Sequence, residues 1–279
     1  MERGSWETPG IRCKAMTLNR RVVRDKTGFL IRRQNPYVTW VSVILVLGLW
    51  EGLGYSGLVP PLFLPRFSAV LASGYEMVAS GEIFSHLFAS LWRIGWGFFL
   101  GAGAGILTGV VVGYFQLADD AARPLVAATY PIPKIAILPL LILWLGIGEG
   151  SKVAVITLGV FFPVVINVRA GVRNVDPLLI KAALSLGSGP FNVIRKVILP
   201  MTLPMIFAGL KLGVGIALLL VVTAEMIAAD KGVGFLILSS ADLMQTTRLL
   251  FGIMVLSGMG VSFAWILEKL ERLLIPWRE

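Results

Sequence analysis

A chain built for covalent chemistry concentrates histidine, cysteine or paired carboxylates, and this chain of 279 residues does not. Its single histidine, His86, and its single cysteine, Cys13, are remote from one another, so no zinc constellation can be assembled from them. No Ser-His-Asp arrangement is supported, and no carboxylate pair falls at helical spacing inside an apolar run. Two glycine-rich stretches, "GIGEGSK" (Gly146–Lys152) and "KGVGF" (Lys231–Phe235), have the flavour of a phosphate cradle. Neither fits G-x-x-x-x-G-K-[ST], so no nucleotide site is expected in this chain. Catalytic residues and metal ligands are both expected to be absent, and His86, placed in an outer loop, reads as an interfacial or packing residue.

What remains are ionisable groups in or near oily surroundings: Glu51, Lys134, Lys211 and Glu225. A charge at the centre of a membrane helix costs roughly 2.5–3.5 kcal/mol, so such groups usually face an interior or a watery cavity. Lys134 follows Pro131 and Pro133, which remove backbone donors and break a helix where they fall. Broken backbone at membrane depth is tolerated beside protein or a water-filled path. Pro131, Pro133, Lys134, Lys211 and Glu225 are therefore the candidate translocation path, with a positive bias suited to an anion. A structural kink with a snorkelling lysine is the competing reading. Lys211 and Glu225 share a helix face but stand about 21 Å apart at 1.5 Å per residue, too far to pair, one near each membrane interface.

These residues need elements to hold them, and composition says which kind. Hydrophobic residues make up 56% of the chain, charged residues only 15%, and mean hydropathy is +0.82. A soluble domain carries about a quarter charged residues, so the fold class expected is all-α and polytopic in the lipid membrane. The formal charge of +9 raises the question of nucleic acid, but nine Lys/Arg crowd the first 36 residues and most others flank apolar runs. That is a topology signal, and no nucleic-acid partner is expected. The lone cysteine reports no oxidising compartment. The first apolar run starts near Tyr37, too deep for a cleavable signal, and reads as an uncleaved anchor.

Six apolar segments approach the roughly 20 residues a membrane helix needs: about 38–59, 94–114, 124–147, 153–168, 200–228 and 249–267. The third is interrupted at "YPIPKIAILP". Basic residues place both termini in the cytoplasm, together with Arg123 and the loop carrying Arg169, Arg173, Lys181, Arg195 and Lys196. Arg66, Arg93, Lys152, Lys231 and Arg248 are left to the outer loops. The organisation expected is a basic cytoplasmic tail (1–36), a first membrane helix with outer loop (37–82), a helical membrane core (83–272) containing a cytoplasmic loop (174–199), and a cytoplasmic C-terminal tail (273–279).

In "GFFLGAGAGILTGVVVGY", Gly97, Gly101, Gly105, Gly109 and Gly113 recur every four residues, a smooth stripe on one helix face. In lipid, where hydrophobic drive between helices is absent, small residues at this spacing let a second helix approach closely. The stripe is read as helix packing, either within the subunit or between two subunits.

The loop "PLLIKAALSLGSGPFNVIRKVILP" is amphipathic and basic. Asp176 is the plausible N-cap and Pro177 the first residue of a short helix. Leu179, Ala182, Ala183, Leu186 and Gly187 form an apolar face, and Gly187-Ser188-Gly189-Pro190 turns the chain into a second short helix, 191–199. An apolar face held out in the cytoplasm reads as a docking surface, or else as a helix buried among headgroups.

"KAALSLG", nine residues and "VILP" resemble the E-A-A-x-x-x-G-x9-I-x-L-P loop of permease subunits of bacterial ATP-binding-cassette importers. Ala182, Ala183, Gly187, Leu199 and Pro200 match, while Lys181 stands where that family usually has Glu and Val197 where it has Ile. "ASLWRIGWGFFLGAGAGILTGVVVGY", "YPIPKIAILPLLILWLGIGEGSK" and "VVTAEMIAADKGVGFLI" resemble the branch handling nitrate, taurine and aliphatic sulfonates. The resemblance runs from about residue 83 to the C-terminus.

It implies six transmembrane helices in the type I importer permease (MetI-like) fold, in the bacterial cell (inner) membrane. It implies an ATPase-coupling loop made by Lys181, Ala182, Ala183, Leu186, Gly187, Leu199 and Pro200. The partners implied are a second permease subunit, expected as a homodimer, two ATPase subunits, and an extracytoplasmic substrate-binding protein. ATP and Mg would be bound by the partner ATPase, with no cofactor and no enzyme activity in this chain. The substrate implied is a small anion, a sulfonate, taurine or nitrate. A neutral or cationic heterocycle such as a vitamin precursor is the alternative within the family. A stand-alone secondary transporter or membrane enzyme has the docking loop, the scarcity of intramembrane acids and the missing catalytic groups against it.

Overall fold

The computed structural model describes residues 36–276. The basic arm up to residue 35, Cys13, and Arg278 of the tail lie outside the described residues. The chain divides into two units, 1–50 and 51–279. In the first, the described residues begin helix α1 (Pro36–Ser56), whose apolar residues fall on every face.

In the second unit every regular element among the described residues is helical. Glu51, near the end of α1, accepts from the backbone N–H and hydroxyl of Ser68 at 3.0 and 2.7 Å. It thereby caps α2 (Phe67–Ala79), whose N-terminal amides have no other side-chain acceptor. Glu51 serves a helix end rather than a path. Gly81, at φ +80°, turns the chain into α3 (Glu82–Tyr114).

Helix α3 starts twelve residues before the expected span, so His86 and Arg93 lie on it and not in an outer loop. The reason is legible in the contacts. Cβ atoms built on Gly97, Gly105, Gly109 and Gly113 would sit 2.6–2.8 Å from the Cβ atoms of Ile156, Val164, Val168 and Val172 on α6 (Glu149–Arg173). At Gly101 the clash would be with the Thr157 carbonyl, at 2.6 Å. Both stripes repeat every four residues, and the two helices interlock with no room for a methyl group on the glycine side.

The numbers of the paired residues rise together, so α3 and α6 run in the same direction. The chain between them must therefore return across the layer. It does so through α4 (Gln116–Thr129), a break at Tyr130–Pro133, a 3-10 turn (Lys134–Ile137) and α5 (Leu138–Leu145). The two halves are bent by 86°. Among the described residues four helices are long and apolar enough to span a membrane, and this bent pair makes a fifth. The apolar stretch Trp40–Ser56 of α1 is shorter than these, and the expected six are not all counted among the described residues.

Beyond α6, the loop helix α7 (Pro177–Ser185) is followed by α8 (Pro190–Val193), a π turn (Ile194–Ile198) and α9 (Leu199–Ala228). A separate helix over 191–199 is not formed: residues 190–228 make one continuous rod. Pro200 has no N–H to give the Lys196 carbonyl, and the turn just before it is widened, with the Leu199 N–H donating to the Ile194 carbonyl. Helix α9 packs antiparallel on α6, with Gly159 against Leu220 and Gly171 against Thr202 and Met205. Helices α10 (Val233–Asp242) and α11 (Thr246–Leu274) complete the unit.

Candidate functional site

Helix α7 is built as its sequence suggests. The Asp176 carboxylate accepts from the Leu178 N–H at 2.8 Å, Pro177 occupies the first turn, and Gly187 at φ +79° takes the chain out. Ile180 and Ala183 turn inward against the core, so Ala183 does not belong to the exposed face assigned to it. Facing outward are Leu178, Leu179, Ala182 and Leu186, the last 87% exposed, with Phe191 beside them. Lys181 is exposed on the same helix, and Arg195 and Lys196 on the adjoining π turn. Leu199 and Pro200 are half-buried at the start of α9.

The five path candidates do not meet. Pro131 and Pro133 are exposed at the break, but the Lys134 ammonium folds back onto its own loop. It donates to the carbonyls of Thr129, Tyr130 and Ile132 at 2.7, 3.2 and 2.8 Å and lies 4.4 Å above the Phe162 ring. It thus satisfies carbonyls left bare where α4 ends. Lys211 forms an ion pair with Glu271 of α11, beside a cavity lined by Pro204, Met205 and Ala208.

Glu225 is wholly buried, the centre of a polar knot that sequence reasoning missed. Arg93 of α3, 2% exposed, donates to Glu225 at 2.8 Å and grips Glu149 of α6 with two bonds of 2.6 and 2.7 Å. A further bond from the same guanidinium reaches the Lys231 carbonyl at 2.6 Å. Ser90 donates to the Glu225 carboxylate and accepts from the Val233 N–H at 2.9 Å, and the Gly234 N–H donates to Glu225 at 2.8 Å. A Cβ on Gly232, at φ +134°, would lie 2.3 Å from the Glu225 carboxyl carbon. The glycines of "KGVGF" therefore do cradle an anion, and the anion is the chain's own side chain. His86 joins as a packing residue, its Nδ1 accepting from the Gly232 N–H at 3.1 Å and its ring stacked on Phe235. A signal for the knot was present: His86, Ser90 and Arg93 continue the Gly97–Gly113 stripe upward at three- and four-residue steps.

A second knot lies at the other end of α3. Asp119, fully buried in the first turn of α4, pairs with Arg123, Arg169 and Arg173. No group of three or more potential metal ligands occurs among the described residues. Among the described residues the arrangement is one of internal ion pairs, a broken helix and one exposed apolar loop.

The model of the binding-protein-dependent transport system inner membrane component matches residues 101–276. The chain belongs to this family. A putative aliphatic sulfonates transport permease protein, SsuC of Bacillus subtilis, is 36% identical over 261 residues, 93% of this chain and 94% of its own. The taurine transport system permease protein TauC of Escherichia coli is 35% identical over 85% of this chain and 88% of its own. Among solved structures, an inward-facing form of the MetNI methionine ABC transporter matches with a TM-score of 0.59 and 18% identity, covering 68% of this chain and 94% of that one. At that identity it shows the fold, which is the MetI-like permease fold. This permease is a multi-pass membrane transport subunit and not an enzyme. Its partners are an ATPase, which binds the ATP, and a substrate-binding protein.

Proposed function

We propose that two copies of this chain form the route for a small organic anion of the sulfonate or taurine class across the bacterial inner membrane, with both termini cytoplasmic. Two ATPase subunits engage the loop 174–199, bind ATP and Mg, and move α7 together with the rod that begins at Pro190. An extracytoplasmic binding protein delivers the anion. The observation that carries the coupling role is α7 itself: a capped helix presenting Leu178, Ala182 and Leu186 to solvent on a loop pinned at both ends. Leaving such a face uncovered on an isolated loop has no folding benefit, whereas a partner that covers it gains apolar contact.

Support for the substrate class is the near full-length similarity to permeases named for aliphatic sulfonates and taurine. Within the route we assign Pro131, Pro133 and Lys134, where the crossing helix breaks. Lys211 and Glu225 are held in ion pairs inside the chain and are not assigned to it.

The deciding experiment is ATP hydrolysis by the reconstituted permease–ATPase complex in liposomes, with the binding protein and taurine, an alkanesulfonate, nitrate or a pyrimidine added in turn. Stimulation by an alkanesulfonate or taurine, abolished by Gly187→Asp, is the expected result. Stimulation by the pyrimidine alone would overturn the anion assignment.

A further inference from the structure

The charged side chains of the second unit are not distributed like those of an ordinary surface. Outside the loop 174–199, each Lys and Arg between residues 51 and 276 except Lys231 has a partner among the described residues. Arg93, Arg123, Lys152, Arg169, Arg173, Lys211, Arg248 and Arg272 form ion pairs. Lys134 is taken up by carbonyls, while Arg66 and Lys269 lie over the rings of Tyr55 and Trp265. Lys181, Arg195 and Lys196 are exposed and enter no ion pair among the described residues. The one acid in the loop, Asp176, is spent on the Leu178 N–H. Lys231 apart, the cations of the second unit that have no partner among the described residues thus gather around the exposed apolar patch of Leu178, Ala182, Leu186 and Phe191.

Such a surface is complementary to a cleft with an apolar floor and an acidic rim. Charges at a rim steer approach and penalise wrong partners, and a like charge placed opposite is costly. We propose that the ATPase cleft receiving this loop presents carboxylates, one opposite Lys181 and at least one opposite Arg195 and Lys196. The proposal rests on the reading that this loop meets the ATPase. It names the sign of the surface that must receive it: negative, where a permease with an acidic residue at position 181 would require a positive one.

The test uses the full chain with Cys13→Ser and Leu186→Cys, labelled with a benzophenone maleimide, in nanodiscs of phosphatidylcholine. The ATPase is titrated and photo-captured. In the parent, capture should be half-maximal at a concentration that rises between about 50 and about 300 mM salt, as screening shortens the reach of exposed charges. Lys181→Glu combined with Lys196→Glu should raise it about tenfold or more. Reversing an acid of the captured ATPase peptide to Lys should restore the original value. Both substituted side chains are exposed, so folding is not at issue. Capture that is unchanged by the double reversal and by salt overturns the acidic cleft while leaving ATPase docking intact. No capture in the parent overturns docking as well. If the double reversal instead changes capture only when the discs contain phosphatidylglycerol, and not in phosphatidylcholine, the cations serve the lipid surface and the proposal fails.

Discussion

Arg93 and Glu225 meet at 2.8 Å with essentially no exposure, 132 residues apart in sequence, and through them α3, α6, α9 and the start of α10 are tied at one point. Removing one partner leaves the other charged, buried and unmatched, which typically costs about 3–5 kcal/mol. Glu225→Leu and Arg93→Met are each expected to lower the melting temperature of the detergent-solubilised protein sharply. The double variant should be more stable than either single one. Strictly additive losses in such a cycle would show that the pair does not act as a unit.

The glycine stripe makes a contrasting pair of predictions. Gly101 faces the Thr157 carbonyl at a distance that excludes a methyl group, whereas Gly103, two residues on, has nothing within 4 Å. Gly101→Ala should destabilise by about 1–3 kcal/mol, the usual cost of overpacking, and Gly103→Ala should be neutral. Gly105→Leu should prevent folding of the subunit, since it drives a side chain into Val164. Normal thermal melts for Gly101→Ala would mean that α3 and α6 are not interlocked as described.

Two roles of Lys134 are separable, one observed and one proposed. Its ammonium satisfies three carbonyls at the break, and its charge belongs to the route proposed for an anion. Lys134→Gln is expected to lower thermal stability and also to raise the KM for transport. Lys134→Arg, which retains the charge, should keep KM closer to the parent. Unchanged transport kinetics beside a lowered melting temperature would leave Lys134 as a cap alone.

Gly187 can be tested for conformation rather than contact. At φ +79° it has nothing within 4 Å of where a Cβ would stand, so a substitution there is felt through the backbone. A β-branched residue resists that region, while Asn enters it comparatively readily. Gly187→Val should uncouple ATP hydrolysis from transport with little change in melting temperature, and Gly187→Asn should retain coupling. Equal transport by the two variants would count against a fixed exit turn after α7.

The membrane layout was legible because hydropathy is a long-range average: apolar runs near 94–114, 153–168, 200–228 and 249–267 all fall inside observed helices. So was the start of α7, since Asp176-Pro177 is a strong local signal. What hydropathy concealed was the polar interior. A charge is read as marking a loop, and Arg93 was sent outside for that reason, although it is among the most buried side chains in the unit. Arg93 is affordable there only because Glu149 and Glu225 arrive from elsewhere in the chain, and no window around residue 93 contains them. Lys211 likewise has its ion-pair partner, Glu271, sixty residues away.

The helical run from Pro190 to Ala228 joins the exposed Arg195 and Lys196 to the knot at Glu225. From Lys196 to Glu225 the rod measures about 45 Å at 1.5 Å per residue, so a tilt of about 5° at one end displaces the other by about 4 Å. The π turn, Pro200 and Pro204 all lie near its start, and from Met205 to Ala228 no further proline or widened turn interrupts it. A displacement at Lys196 is therefore carried along the same helix to Glu225, and one at Glu225 is carried back to Lys196.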